Sequence, residues 1–176
     1  MTVGLISLIV GSLIAGLVFG VILQYYYDQH KVHKHKLQLR AKKKSRQKSI
    51  MDRFRVEVKN NTIRLKKEEK RIALSRQLAP IELLFKNFHK RLHKIADKEL
   101  MDVLADFYKD LIDLIAKNNT YITFAEKNIS QNSTLPDEAV ATFYNSMTSS
   151  MLQDITKIRE KGASIVTILE EKIEKS

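Results

Sequence analysis

The chain has no cysteine and no tryptophan, only two prolines in 176 residues, and five glycines, four of which fall within the first twenty positions. Without cysteine there is no disulfide framework, no thiolate metal centre and no sulfur nucleophile. Gly-rich phosphate loops and dinucleotide fingerprints are excluded by the same scarcity of glycine. From Gln24 onward one glycine, Gly162, and two prolines, Pro80 and Pro136, are the only strong breakers. A segment so poor in turn formers is expected to be a few long helices, an all-α chain.

Charge is also missing from one stretch. Residues 3–23 carry none, and fourteen of these 21 residues are Val, Leu, Ile or Phe. At 1.5 Å per residue such a run makes a helix of roughly 31 Å, the thickness of a bilayer's hydrocarbon core. A cleaved secretory signal places basic residues before its apolar core and small residues at its end. Here Met1 and Thr2 alone come first, and Gln24 with the aromatic triplet Tyr25, Tyr26 and Tyr27 follows. Tyrosines at that position suit a stationary helix ending among headgroups, so residues 1–27 read as an uncleaved single-pass transmembrane anchor.

Between Asp28 and Asp52 there is no acid, but there are nine cations: Lys31, Lys34, Lys36, Arg40, Lys42, Lys43, Lys44, Arg46 and Lys48. The positive-inside rule holds such a flank in the cytoplasm. The expected location is therefore an inner (plasma) membrane, with the N-terminus outside and everything after the anchor cytoplasmic. Lysine richness fits a bacterial membrane. The segment 28–49 is expected to be a polybasic juxtamembrane linker that contacts anionic lipid headgroups, each basic residue contributing about 1 kcal/mol near a charged leaflet. Setting topology and hydrating the linker is the plainer use of the same charges. Binding to nucleic acid is less favoured, because the run lacks aromatic interleaving and a recognition fold. His30, His33 and His35 sit among these lysines and read as linker charge rather than ligands.

Small residues in the anchor recur every fourth position: Ser7, Gly11 and Ala15 on one line, Ser12, Gly16 and Gly20 on the next. They form a smooth face suited to close helix packing, with the chain itself or with another membrane protein, and Gly16 and Gly20 make a GxxxG pair. Glycine is common in transmembrane helices whether or not they associate. Four Asn-x-Ser/Thr sequons, at Asn60, Asn118, Asn128 and Asn132, are read as chance matches given the expected orientation.

The net charge of +11 conceals an asymmetry, since residues up to Lys98 sum to +16 and the remainder to −5. Different partners are expected for the two parts. In the second part, Ile81, Phe85, Phe88, Leu92, Ala96, Leu100, Leu104, Phe107, Leu111 and Leu114 recur at intervals of three and four, which predicts one helix of about nine turns starting near Pro80. After a polar break at 128–134, Pro136 with Asp137 and Glu138 marks another helix start. Its apolar stripe runs through Val140, Tyr144, Met147, Met151, Ile155, Ile158, Ile165, Leu169 and Ile173. Residues 80–176 are thus expected to form a small helical hairpin or bundle.

The charged segment 50–79 is open to two readings. As a helix, Phe54, Val58, Leu65 and Ile72 share a face while Val56 and Ile63 do not. As a hairpin over 54–65, Asn60 and Asn61 form a two-residue turn. Helix is preferred, because no other segment supplies a third strand and an isolated hairpin is marginal in water.

Candidate chemistry is sparse. His89 and His93 stand one helical turn apart with Asp97 a turn beyond, but five surrounding cations repel a metal, so no metal or other cofactor is expected. Glu99, Asp102, Asp106, Asp110 and Asp113 form an acidic line, expected to dock on a basic surface such as Arg64, Lys67 and Arg71 in this chain or in a partner. Ser149 and Ser150 have no histidine near them in sequence, and no nucleophile arrangement is present. The chain is therefore expected to be non-enzymatic, an interaction, scaffolding or accessory subunit of a membrane complex. The alternatives are a self-associating membrane-active effector and a membrane-tethered nucleic-acid binder.

Overall fold

The structure, a computed structural model, describes the backbone of residues 2–75, 79–130 and 137–175, and the side chains of residues 19–21, 23–74, 79–127, 138 and 141–175. Its elements are α1 (Thr2–Ser75), α2 (Lys86–Arg91), a 3₁₀ turn (Leu92–Lys94), α3 (Lys98–Ser130) and α4 (Asp137–Glu174). Among the described residues there is no strand, so 54–65 is helix, not hairpin. Two units are distinguished, Met1–Ser45 and Arg46–Ser176.

In the first unit every described side chain from Leu23 to Ser45 is exposed. Among the described residues no helix is long and apolar enough to cross a membrane. Most side chains of the run 3–23 lie outside those described, as do the packing positions Ser7, Gly11, Ser12, Ala15 and Gly16. Gly20 is described, and a Cβ built there would meet nothing within 4 Å.

The second unit has its own core. Three stripes converge on it, each spaced at the three- and four-residue intervals that align side chains along a helix. From α1 come Phe54, Val58, Leu65 and Ile72, from α3 Leu100, Leu104, Phe107, Leu111 and Leu114, and from α4 Met147, Met151, Ile155, Ile158, Ile165 and Leu169, all buried. Val56 and Ile63, the two apolar residues of 54–65 that fall off the α1 stripe, are each 47% exposed.

Helix directions follow from the cross-links. Along α3 and α4 the pairs are Asp97 with Lys172, Asp106 with Lys161, Lys117 with Asp154, and Phe124 with Phe143, so the two helices run antiparallel. Arg55 meets Glu170, and Glu69 meets Thr156, which makes α1 antiparallel to α4 as well. At Gly162 the three helices come close together: a Cβ there would lie 2.6 Å from Thr62 Oγ1 and 3.0 Å from Phe107 Cε2.

The single helix expected from Pro80 to Leu114 is not formed. Residues 79–85 are non-helical, α2 and the 3₁₀ turn are short, and α3 begins only at Lys98. The reason is geometric. This strap runs back along α1, with Ala79 beside Arg71 and Ala96 beside Gln47. The corresponding stretch of α1 spans about 36 Å at 1.5 Å per residue, whereas a helix of the strap's length would cover only about 26 Å. A partly extended chain closes the gap. The backbone groups this leaves without helical partners are caught by side chains: Arg64 donates to Glu82 O, Asn118 to Ala79 O, and Gln47 to Lys94 O while accepting from the Ala96 amide. Asp97 then starts α3, its Oδ1 accepting the Leu100 amide at 3.1 Å in the manner of an N-cap. The second unit is thus an up-down-up-down arrangement in which the second rung is a strap.

Candidate functional site

Two kinds of polar feature stand out in the second unit, a buried cluster that fastens the strap and a set of charged surfaces. The buried cluster begins with Asn61, fully buried on the apolar stripe of α1. Its Nδ2 donates to Leu84 O at 2.8 Å, and its Oδ1 accepts the Leu84 amide at 2.7 Å. One turn earlier Glu57, 4% exposed, accepts from Tyr108 Oη at 2.7 Å and from both the amide and Nδ2 of Asn87 at 2.8 Å. Three neutral donors therefore serve a buried carboxyl group, and among the described residues no cation pairs with it. Tyr108 is itself walled in by Phe88, stacked at 4.7 Å, and by Phe54 and Phe107 edge-on. Burial first, then the Glu57 acceptor, pushes the Tyr108 hydroxyl far above its ordinary value of 10.0.

This cluster joins α1, the strap and α3, and the sequence reading did not find it. A signal was present, because on the preferred helix Glu57 and Asn61 fall on the same face as Phe54, Val58 and Leu65. Polar residues on a buried stripe need partners, and the partners here are 23 to 51 residues away.

The acidic line is split by the fold. Asp106 and Asp110 both meet Lys161 of α4, at 2.9 and 2.6 Å. Burial alone would lower the Lys161 pKa, but hydrogen bonds to Asp110 and Asp106 outweigh it and hold the ammonium above its usual range. The same pairing with Lys161 lowers Asp106. Within the unit the cation that Asp106 and Asp110 meet is Lys161, while Arg64 reaches Glu82 O and Arg71 pairs with Glu68. Glu99, Asp102 and Asp113 remain exposed. Asp113 lines a shallow hollow with Asp110, Lys117, Asp154 and Lys157, in which Lys117 Nζ is held by Ser150 Oγ at 2.7 Å and by Asp154.

His89 and His93 do not face Asp97. His89 lies against the rings of Phe85 and Phe88, while His93 is in the 3₁₀ turn, and Asp97 pairs with Lys172. Among the described residues no three His, Asp or Glu side chains are grouped to hold a metal ion. Asn118 is fully buried, so its sequon is inaccessible in the folded unit.

In the first unit the cations Lys31, Lys34, Lys36, Arg40, Lys42, Lys43 and Lys44 are all exposed on helix α1, and Arg46 and Lys48 of the second unit are exposed too. These positions go all round the helix rather than along one face, the pattern of a segment solvated by itself or surrounded by counter-charge. No protein-family model, curated protein or solved structure matches the chain.

Proposed function

We propose that the protein is a single-pass membrane protein whose helical unit, Arg46–Ser176, is an interaction or scaffolding module on the cytoplasmic side, without catalytic activity of its own. The observation that carries this reading is the uncharged run 3–23 followed directly by tyrosines and nine cations with no intervening acid after Asp28. An apolar run of this length is retained by a bilayer, and the cations oppose passage of the flank across it. The exposed cations of 31–48 then contact anionic headgroups, and the small-residue line of the anchor packs on a second transmembrane helix.

Support for a binding role rather than a chemical one comes from the use made of polar groups. The buried carboxyl of Glu57 is consumed in fastening the strap, and Asp97, Asp106, Asp110 and Asp154 are engaged with lysines across the α3–α4 contact. What is left for partners is surface charge. Purification of the tagged full-length chain in mild detergent, with mass determination of the particle, tests the reading. A stoichiometric second membrane protein is the expected outcome. A monodisperse particle of one chain without any companion, stable at native expression levels, contradicts an accessory role.

A further inference from the structure

Helix α1 carries a second seam, on the side away from the core. Val56, Asn60, Ile63, Lys67, Lys70 and Leu74 follow one another at alternating intervals of four and three residues, and all six are exposed. That spacing sets them on one line, as in the seam along which one helix meets another in a coiled coil. It runs for about 27 Å, or about five turns. Val56 and Ile63 are each 47% exposed and Leu74 is 87% exposed, whereas the inner stripe of the same helix is buried.

Charge on this face has one sign. Lys59 and Lys66 are exposed beside the seam, so four lysines and no exposed acid accompany its three apolar side chains between residues 56 and 74. The acids of this stretch are used elsewhere: Glu57 accepts from Tyr108 and Asn87, Glu68 from Arg71, and Glu69 from Thr156 and Arg159. Lys66 and Lys70 meanwhile repel one another at i,i+4 spacing. Such a face is stabilised by an occupant that covers its apolar groups and supplies negative charge together.

That pair of requirements sorts the occupants. Apolar side chains set among lysines gain nothing from a nucleic-acid backbone, whose contacts are electrostatic. A second copy of α1 would set these lysines against themselves. A bilayer surface is set aside because α1 runs unbroken from Thr2 to Ser75, through the proposed anchor. An amphipathic helix with carboxylates beside its apolar line meets both requirements at once.

We propose that the outward face of α1 from Val56 to Leu74 is the docking site for a partner's amphipathic helix, apolar along one line and flanked there by Glu or Asp. The proposal rests on the interaction-module reading above and names the surface and the partner's chemistry.

The absence of cysteine lets one position be read at a time. Asn60→Cys on the seam, and separately Thr167→Cys on the exposed side of α4, are labelled with an environment-sensitive fluorophore in the full chain, held in an uncharged detergent. The probe is a three-heptad peptide with Leu at the first and fourth heptad positions and Glu at the flanking ones. One counterpart carries Lys for Glu, and a second is polyglutamate of the same length, which measures what the cations of 31–48 attract by charge alone. Acrylamide, a neutral quencher, reports access from water. At saturating acidic peptide, quenching at position 60 should weaken at least about threefold, with little change at 167 and none from either counterpart. Adding Val56→Ser and Ile63→Ser should raise the peptide concentration needed by about tenfold. Combining Lys59→Glu, Lys66→Glu, Lys67→Glu and Lys70→Glu should exchange the preference, so that the Lys peptide protects and the Glu peptide does not. Where that variant fails to fold, the Ser pair decides.

Unchanged quenching at 60 with the acidic peptide overturns the proposal. So does equal protection by polyglutamate or duplex DNA, which would make the face a plain charged surface. Protection that grows with the chain's own concentration, in the absence of peptide, would place a second copy there and overturns it too. Where position 60 stays open to the peptide but a second membrane protein still co-purifies in stoichiometric amount, this docking site falls and the interaction-module reading stands.

Discussion

Tyr108 Oη donates a 2.7 Å hydrogen bond to Glu57 Oε1, joining the α1 and α3 stripes inside the core. The same carboxyl group holds Asn87 through two further bonds, so the strap depends on it. Tyr108→Phe keeps the ring and removes one donor, and is expected to lower stability by about 1–2 kcal/mol. Glu57→Ala strands three donors and should cost about 2–4 kcal/mol. Urea unfolding of both variants checks the order; a Glu57→Ala loss smaller than that of Tyr108→Phe contradicts it.

The Tyr108 hydroxyl also sets an alkaline limit. Its folded pKa is raised, so the native state keeps a proton that the unfolded chain loses above about pH 10. The contribution is fully present below that value and declines as pH rises beyond it. Unfolding midpoints of the parent should therefore fall above pH 10 more steeply than those of Tyr108→Phe. Parallel curves would mean that the hydroxyl is not held in its neutral form.

An acid limit comes from Asp97. Hydrogen bonding with Lys172, then with the Leu100 amide, keeps its pKa below the ordinary 3.8. A depressed folded pKa means stabilisation that is present above the unfolded value and lost as pH falls through the folded one, so stability should decline below about pH 4. Asp97→Asn keeps a capping oxygen but not the charge. Between pH 6 and pH 3 its midpoint should fall less than the parent's, and an equal fall would place the acid sensitivity elsewhere.

Gly162 reports on how tightly α4 approaches Thr62 and Phe107. Gly162→Ala gains roughly 1 kcal/mol of helix propensity but puts a methyl 2.6 Å from Thr62 Oγ1, and overpacking typically costs about 1–3 kcal/mol. A net loss is expected in the parent. In a Thr62→Ala background the loss should shrink, and a double-mutant cycle showing no coupling between the two positions would contradict the close approach.

The strap offers a local readout. Asn61→Asp is nearly isosteric, yet it cannot donate to Leu84 O and places an acid on a buried stripe. Amide exchange at Leu84 should accelerate in this variant far more than at Met151 on the opposite side of the core. Uniform acceleration would mean that Asn61 supports the whole bundle and not the strap in particular.

The parts of this fold that the sequence makes legible are those governed by helical period. Phe54, Val58, Leu65 and Ile72 on α1, and the stripe Met147, Met151, Ile155, Ile158, Ile165 and Leu169 on α4, share a face at helical spacing and are buried. The strap was illegible for a physical reason. The three- and four-residue spacing of Ile81, Phe85, Phe88 and Leu92 suits a helix, but the distance the chain must return along α1, and the capture of its backbone by Asn61, Arg64 and Arg71, override that preference. Such captures are long-range and leave no local pattern. The acidic line was visible as a line, but its pairing with Lys161 depends on the antiparallel register of α3 and α4, which spacing alone does not set.

In the proposed topology residues 3–23 hold the chain in a membrane with the helical unit on the cytoplasmic side. The most direct test introduces Ser164→Cys, at an exposed position of α4, into the cysteine-free full chain and treats intact cells with a membrane-impermeant thiol reagent. The proposed topology predicts that the chain resists alkaline extraction and that Cys labelling appears only after the cells are permeabilised. Release of the chain by alkali, or labelling in intact cells, would contradict it.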